Sequence, residues 1–288
     1  MSKGKIIVVA VRDENHGRIA MQRALHLSQS IQDQIYLVYV ERFGQWKRIN
    51  ELLMPSAEWE SQDSEDQAWL HKLSESVDTN GPSINITVLS GEPGSTIAEY
   101  ASQIDADLVI VTSPRTSQAR EIFIGSTALR ILRTATCPIL VAGEQSADSY
   151  KNALVAIDIN DAGQRVAHAA NTWLPDSTIN FAHAYKMPQE GQMRTRGAVS
   201  DEDLTKLREF VRIEDEEKLK SYRASFPSAT IHMEHGHASS VILDFVLRIR
   251  PDILVLGKHR GTSKDERIFG SVTQFLLYHC PTDILLVP

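Results

Sequence analysis

Cysteine is scarce: the 288 residues contain two. Both, Cys137 and Cys280, stand just before a terminal apolar run, and with no secretory signal in view they read as reduced thiols rather than a disulfide framework or a metal site. Long apolar runs are missing too. The opening run, Ile6 to Val11, is too short for a signal core, and nothing approaches the roughly 18 residues of a membrane span. These absences predict a cytoplasmic chain with no membrane partner. Positive charge is in deficit, 30 Lys plus Arg against 37 Asp plus Glu, for a net charge of −7. That balance argues against a broad nucleic-acid surface. No Ser-His-Asp, Cys-His or paired-carboxylate constellation is legible, so no catalytic residue is assigned. An enzymatic reading would rest on nucleotide hydrolysis or phosphate transfer, for which no base is identifiable.

What the sequence does contain is itself, twice. Asp252 to Gly257 echoes Asp107 to Thr112, Arg260 echoes Arg115, Gly270-Ser271 echoes Gly125-Ser126, and Ile284-Leu285 echoes Ile139-Leu140, each pair 145 positions apart. A constant offset over some thirty residues marks a tandem duplication. With about 100 to 200 residues per domain as the usual size, the chain divides into domains at 1–145 and 150–288. The polar stretch from Gly143 to Tyr150 links them, short enough for the halves to pack together.

Within each half, β-branched apolar runs alternate with helical periodicity. Strands are expected at Ile6 to Val11, Ile35 to Val40, Ile84 to Leu89, Leu108 to Val111 and Ile139 to Val141. The second half repeats them at Ala153 to Ile157, Ile179 to Tyr185, Ile231 to Gly236, Ile253 to Gly257 and Ile284 to Val287. Ser200-x-x-Asp203 resembles a capping box opening a charged helix. Residues 41 to 81 are the least regular, with Trp69, Leu70, Leu73 and Val77 at helical spacing. The alternation implies βαβ crossovers: an α/β fold of two tandem Rossmann-like domains, each a five-stranded parallel sheet with helices on both faces.

Each copy reads as apolar strand, polar turn, Gly-Ser, then helix, the order that turns backbone N–H groups and a helix N-terminus toward an anion. On these residues the chain resembles the universal stress protein family, whose nucleotide-binding members carry Gly-x2-Gly-x9-Gly-[Ser/Thr] after the fourth strand. The second half reads Gly257-x2-Arg260-x9-Gly270-Ser271 and the first Thr112-x2-Arg115-x9-Gly125-Ser126. Arg thus replaces the second glycine in both halves, and the first half loses the first glycine. The resemblance implies strand order 3-2-1-4-5, a crevice between the first and fourth strands, and an intrachain pseudo-dimer joined through the last strand of each half. It also implies ATP or another adenine nucleotide as ligand, with Asp158 aligned to the family aspartate that contacts the adenosine moiety.

The nucleotide site is therefore expected in the second half, at Asp158, Gly257, His259, Arg260, Gly270 and Ser271. Gly257 would permit positive φ or a close backbone approach, and Ser271 would cap its helix or bind a phosphate oxygen. Lys258, His259, Arg260, Lys264 and Arg267 make a basic loop there. Arg260 has two opposite readings: a bidentate phosphate ligand, or a plug in the space a glycine would leave open. In the first half the best match sets Arg12 opposite Asp158, whereas a one-residue slip would restore Asp13. His232, His235, His237 and His259 raise a metal alternative, with no cysteine near and with Ser90 and Glu92 at the corresponding first-half positions. Two functions compete: a stress-response protein regulated by an adenine nucleotide, and an interaction module whose sites have both degenerated, with protein partners unknown.

Overall fold

The computed structural model describes residues 3–41, 68–75, 81–113, 124–143, 149–159, 161–187, 190–195, 200–258 and 270–288. The first half runs β1 (Ile6–Val11), α1 (Glu14–Leu27), β2 (Gln34–Glu41), α2 (68–75), β3 (Ser83–Ser90), α3 (Pro93–Gln103), β4 (Leu108–Thr112), α4 (Ser126–Thr134) and β5 (Ile139–Ala142). The second runs β6 (Asn152–Ala156), α5 (Asp161–Trp173), β7 (Thr178–Tyr185), α6 (Glu190–Thr195), α7 (Asp201–Ser225), β8 (Thr230–His235), α8 (Ala238–Ile249), β9 (Ile253–Gly257), α9 (Ser271–His279) and β10 (Asp283–Val287). No helix among the described residues is long and apolar enough to cross a membrane.

All ten strands belong to one sheet, in the order β3-β2-β1-β4-β5-β10-β9-β6-β7-β8. Each half has the expected 3-2-1-4-5 order and is parallel throughout. The expectation of a separate sheet per half is corrected: β5 and β10 pair antiparallel, Leu285 against Leu140, and fuse the two. Every residue of both strands is buried. In an isolated half, that apolar strand would be an open edge inviting association.

The helices divide between the two faces. Leu27, Trp173 and Tyr222, from α1, α5 and α7, pack against one side of the sheet. Ile97, Ile131, Phe245 and Leu276, from α3, α4, α8 and α9, pack against the other. Both cores run across the joint. Local chemistry starts the helices: Ser200 caps α7 as its sequence pattern suggests, accepting from Asp203 N at 3.1 Å, and Asp13 caps α1 by accepting from His16 N.

One polar cluster lies inside the joint. Asp283, at the start of β10, is fully buried. It accepts from Gly143 N at 2.8 Å, from the Tyr150 hydroxyl at 2.7 Å, and from Nε of the equally buried Arg23 at 2.9 Å. Arg23 comes from α1 of the first half and Tyr150 from the end of the linker, so this carboxylate ties both to the second half. Under the 145-residue offset the position of Asp283 is held by Pro138 in the first half, and the anchor therefore occurs once. Removing one partner of a buried ion pair strands the other, which costs about 3–5 kcal/mol, while a hydrogen bond to a charged group contributes about 1.5–3 kcal/mol. Urea unfolding should accordingly rank Arg23→Ala below Tyr150→Phe and both below the parent; equal midpoints for all three would show that the cluster does not hold the halves.

Candidate functional site

Topology puts a crevice in each half. β1 pairs with β2 on one side and β4 on the other, and β6 likewise with β7 and β9. Chain connections leave these neighbours in opposite directions, which opens a cleft beyond their carboxyl ends. The ladder also resolves the Arg12 or Asp13 alternative. Ile7 lies opposite Leu108 and Ala153 opposite Ile253. With the fourth strands 145 apart, the first strands are 146 apart, so Arg12 corresponds to Asp158 and Asp13 does not.

The first-half cleft has a volume of about 480 Å³. Tyr39, Ile97, Val111 and Ile131 supply apolar walls, and Arg12, Thr112, Ser126 and Thr127 supply polar groups. Gly125 is the N-cap of α4 and supplies no side-chain cap to that helix's first N–H groups. Among the described residues, a Cβ added at Gly125 would meet nothing within 4 Å. At its mouth Arg12 Nε reaches Asp13 at 3.0 Å, and His16 Nδ1 lies 2.7 Å from the same carboxylate.

In the second half Asp158 is exposed just past the end of β6. The backbone there is closely overlaid: a Cβ on Gly163 of α5 would fall 2.0 Å from the Asp158 carbonyl oxygen and 2.6 Å from the Tyr222 hydroxyl. Only glycine fits. Burial, and then the Asp158 charge, push the Tyr222 hydroxyl pKa upward. Beneath, the buried His183 sets Nδ1 3.1 Å from the Ile157 carbonyl and Nε2 3.2 Å from Asp215 of α7. The ring thus spans the end of β6 and α7.

Gly257 ends β9, and its carbonyl accepts from Thr273 Oγ1 at 3.1 Å, which sets the first turn of α9 beside it. Of the two reasons expected for this glycine, the positive φ is not met. Its φ is not positive, and an added Cβ would sit 3.4 Å from Val166, an ordinary contact. Gly270 is the N-cap of α9 and Ser271 its first residue, so Ser271 is inside the helix rather than its cap. His259, Arg260, Lys264, Arg267 and Arg115 lie outside the described residues.

Lys258 departs from the basic-loop reading. Its Nζ donates to the Ala135 carbonyl at 3.0 Å and approaches that of Arg133 at 3.4 Å. It thus caps the carboxyl end of first-half α4, where a cation is favoured by the helix dipole. The three described histidines of the metal alternative contact separate partners: His232 with Asn180, His235 with Glu190, and His237 with Ser239. No group of three or more His, Cys, Asp or Glu that could hold a metal occurs among the described residues. Neither cysteine forms a disulfide, and burial pushes the Cys137 thiol up to about 11, away from the range of a reactive thiolate.

Gly163, His183, Asp215 and Tyr222 were missed by sequence reasoning. A glycine inside a helical pattern is a signal of close packing, and Gly163 carried it. His183 sits in a strand with nothing around it in sequence to mark it.

Asp13 gives the first-half mouth a pH signature. Partial burial pushes its carboxyl up, but the His16 backbone N–H, the His16 ring and the Arg12 guanidinium outweigh this and hold it at about 2, against an ordinary 3.8. A depressed acid stabilises the fold above its unfolded pKa, and the contribution is lost as pH falls from about 4 through about 2. With 44% of the side chain exposed, screening limits the effect to roughly 1 kcal/mol. Asn caps helices as well as Asp, so Asp13→Asn isolates the charge. Unfolding midpoints of parent and variant should differ at pH 7 and converge by pH 2; a constant gap would refute the charge account.

The universal stress protein family matches the chain twice, over residues 4–143 and 149–288. A universal stress protein of Methanocaldococcus jannaschii is 27% identical over 146 residues, spanning 48% of this chain and 81% of that one. One from Synechocystis is 26% identical over 153 residues, spanning 49% and 98%. Among solved structures, a universal stress protein from Archaeoglobus fulgidus superposes with a TM-score of 0.71 at 14% identity, covering 98% of this chain and 97% of its own. A functionally unknown protein from Pseudomonas aeruginosa gives 0.69 at 18% identity, covering 98% and 92%. Two family matches that together take in nearly every residue, on halves sharing one strand order, establish that the chain belongs to the universal stress protein family as a tandem, two-domain member.

Proposed function

We propose that this chain is a cytoplasmic stress-response protein that binds an adenine nucleotide, ATP, ADP or AMP, as a regulatory ligand in its second half. The observation that carries this reading is the ladder register. It sets Asp158 and Gly257 at the ends of adjacent strands β6 and β9, with the first turn of α9 bonded to the Gly257 carbonyl. A carboxylate for the adenosine moiety and a glycine-capped helix N-terminus for phosphate are the two recognition elements the family motif calls for. No catalytic residue is assigned, and the nucleotide acts by binding.

A specific observation favours a second reading, in which both crevices have lost nucleotide and the chain works as an interaction module. Lys258, the described member of the basic loop, serves the packing of the two halves, and Arg stands at the family's second glycine in both copies.

A ligand that binds only the folded state raises apparent stability, by about 2.7 kcal/mol at one hundred times its dissociation constant. ATP, ADP and AMP should therefore shift the melting temperature of the parent and not of Asp158→Ala. Because Arg12 and Thr112 stand where the second half has Asp158 and Gly257, calorimetry should give one nucleotide per chain. Two equivalent sites would overturn the asymmetry, and no shift with any nucleotide would favour the interaction module.

Arg260 separates the two readings. As a phosphate ligand it contributes a charge-assisted bond of roughly 1.5–3 kcal/mol, so Arg260→Ala should weaken ATP about 10- to 150-fold while leaving adenosine nearly unchanged. As a plug it should behave oppositely, with Arg260→Gly creating or strengthening ATP binding. Titrations of the three proteins that agree with one another would eliminate both roles.

A further inference from the structure

Neither crevice involves the outer face of α7. This helix packs inward through Leu204, Leu219 and Tyr222. On its opposite side Phe210 is 67% exposed, between Leu207 at 40% and Ile213 at 49%. Three large apolar side chains clustered within two turns, on a helix whose other outward positions are mostly charged, form a compact sticky patch of the kind that marks a contact surface.

The row through that patch indicates what covers it. Glu202, Lys206, Phe210, Glu214 and Lys218 follow one another at four-residue steps, so they form a single ridge along the helix. Its charges read minus, plus, apolar, minus, plus. Read from the other end, every charge is reversed. Within the helix Lys206 pairs with Glu202 at 2.7 Å and Lys218 with Glu214 at 2.9 Å, which keeps these side chains along the ridge.

Ridges of this spacing run about 26° from the helix axis, and two helices that interdigitate them cross at about −50°, the commonest crossing in globular proteins. A two-fold axis through Phe210, perpendicular to the row, gives that crossing angle and lays the rows of two copies against each other, antiparallel. Phe210 then meets Phe210 of the second copy, Lys206 faces Glu214, and Glu202 faces Lys218. Leu207 and Ile213, three residues either side of Phe210, flank the centre, each beside its own counterpart. Asp203 and Glu217 lie off the ridge on opposite flanks, so the like charges do not meet. Asp203 is moreover engaged by the Ser200 hydroxyl at 2.7 Å.

We propose that α7 is a self-association surface, through which two copies of the chain form an isologous dimer centred on Phe210. A row complementary to its own reverse favours a second copy over an unrelated partner. The contact is a few turns long, which places it among small, reversible interfaces.

Sedimentation of the full chain over a concentration series tests this. The parent should show a concentration-dependent monomer–dimer equilibrium. Phe210→Glu should raise the dissociation constant at least about 30-fold, the size of a hot-spot loss; since Phe210 is mostly exposed, the variant's unchanged thermal melt confirms that it is folded. Lys206→Glu sets Glu against Glu214 of the second copy and should weaken the dimer, and adding Glu214→Lys should restore it. A parent that stays monomeric at all concentrations, a dimer indifferent to Phe210→Glu, or a charge-swapped double variant that does not recover would each overturn the proposal.

Discussion

The antiparallel joint between β5 and β10 is the constraint on which the rest of the molecule depends. Both strands are buried along their whole length, so neither half can leave its last strand uncovered without exposing an apolar edge with unpaired backbone groups. Pairing them removes both edges at once. Asp283 then makes the joint selective. A carboxylate with no exposure is tolerable only where donors surround it, and its donors come from α1, from the end of β5 and from the linker. Such a cluster adds little net stability over an apolar one. Its effect is to make any other alignment of the halves costly, because sliding the strands would bare the charge.

The joint also fixes how the two crevices are disposed. β4 is parallel to β5 and β9 to β10, while β5 and β10 are antiparallel; the carboxyl ends of the two sets of strands therefore open at opposite ends of the sheet. Side chains cross between the halves on both faces. Lys5 donates to the Thr172 carbonyl at 2.9 Å and lies over the Trp173 ring. Lys258, the residue after Gly257, holds the carboxyl end of α4, whose opposite end lines the first-half cleft. Lys258 thus ties the end of β9 to the other half.

The strands were legible because parallel strands buried on both faces are written as unbroken β-branched runs, and the duplication supplied each run twice. The joint was anticipated from the same runs, since each half ended on an apolar strand with nothing in its own half to cover it. What could not be read was anything set by alignment between strands. The choice between Arg12 and Asp13 turned on a single residue of register, which the sequence left open and the β1–β4 ladder decides. Lys258 looked like part of a phosphate loop by its neighbours, yet a long flexible side chain goes where acceptors are, and these belonged to the other half. Asp283 carried no local signal at all, because its meaning lies in Arg23, 260 positions away.

Duplication hands both halves one strand order, so the residues at equivalent strand ends can be compared directly. At the mouth, a guanidinium stands in one and a carboxylate in the other. Near a surface a unit charge about 4 Å away is worth between roughly 1 kcal/mol in water and 4 kcal/mol at an effective dielectric of 20, and exchanging its sign doubles the difference. Arg12 does not act as a bare cation, since Asp13 and the His16 ring brace it, which moderates the positive potential while fixing its direction. Asp158 has the reverse setting, exposed above a buried His183 and Tyr222 that leave its carboxylate at the rim. A ligand group that suits one mouth is therefore disfavoured at the other, and a single duplicated fold presents two unlike clefts at its opposite ends.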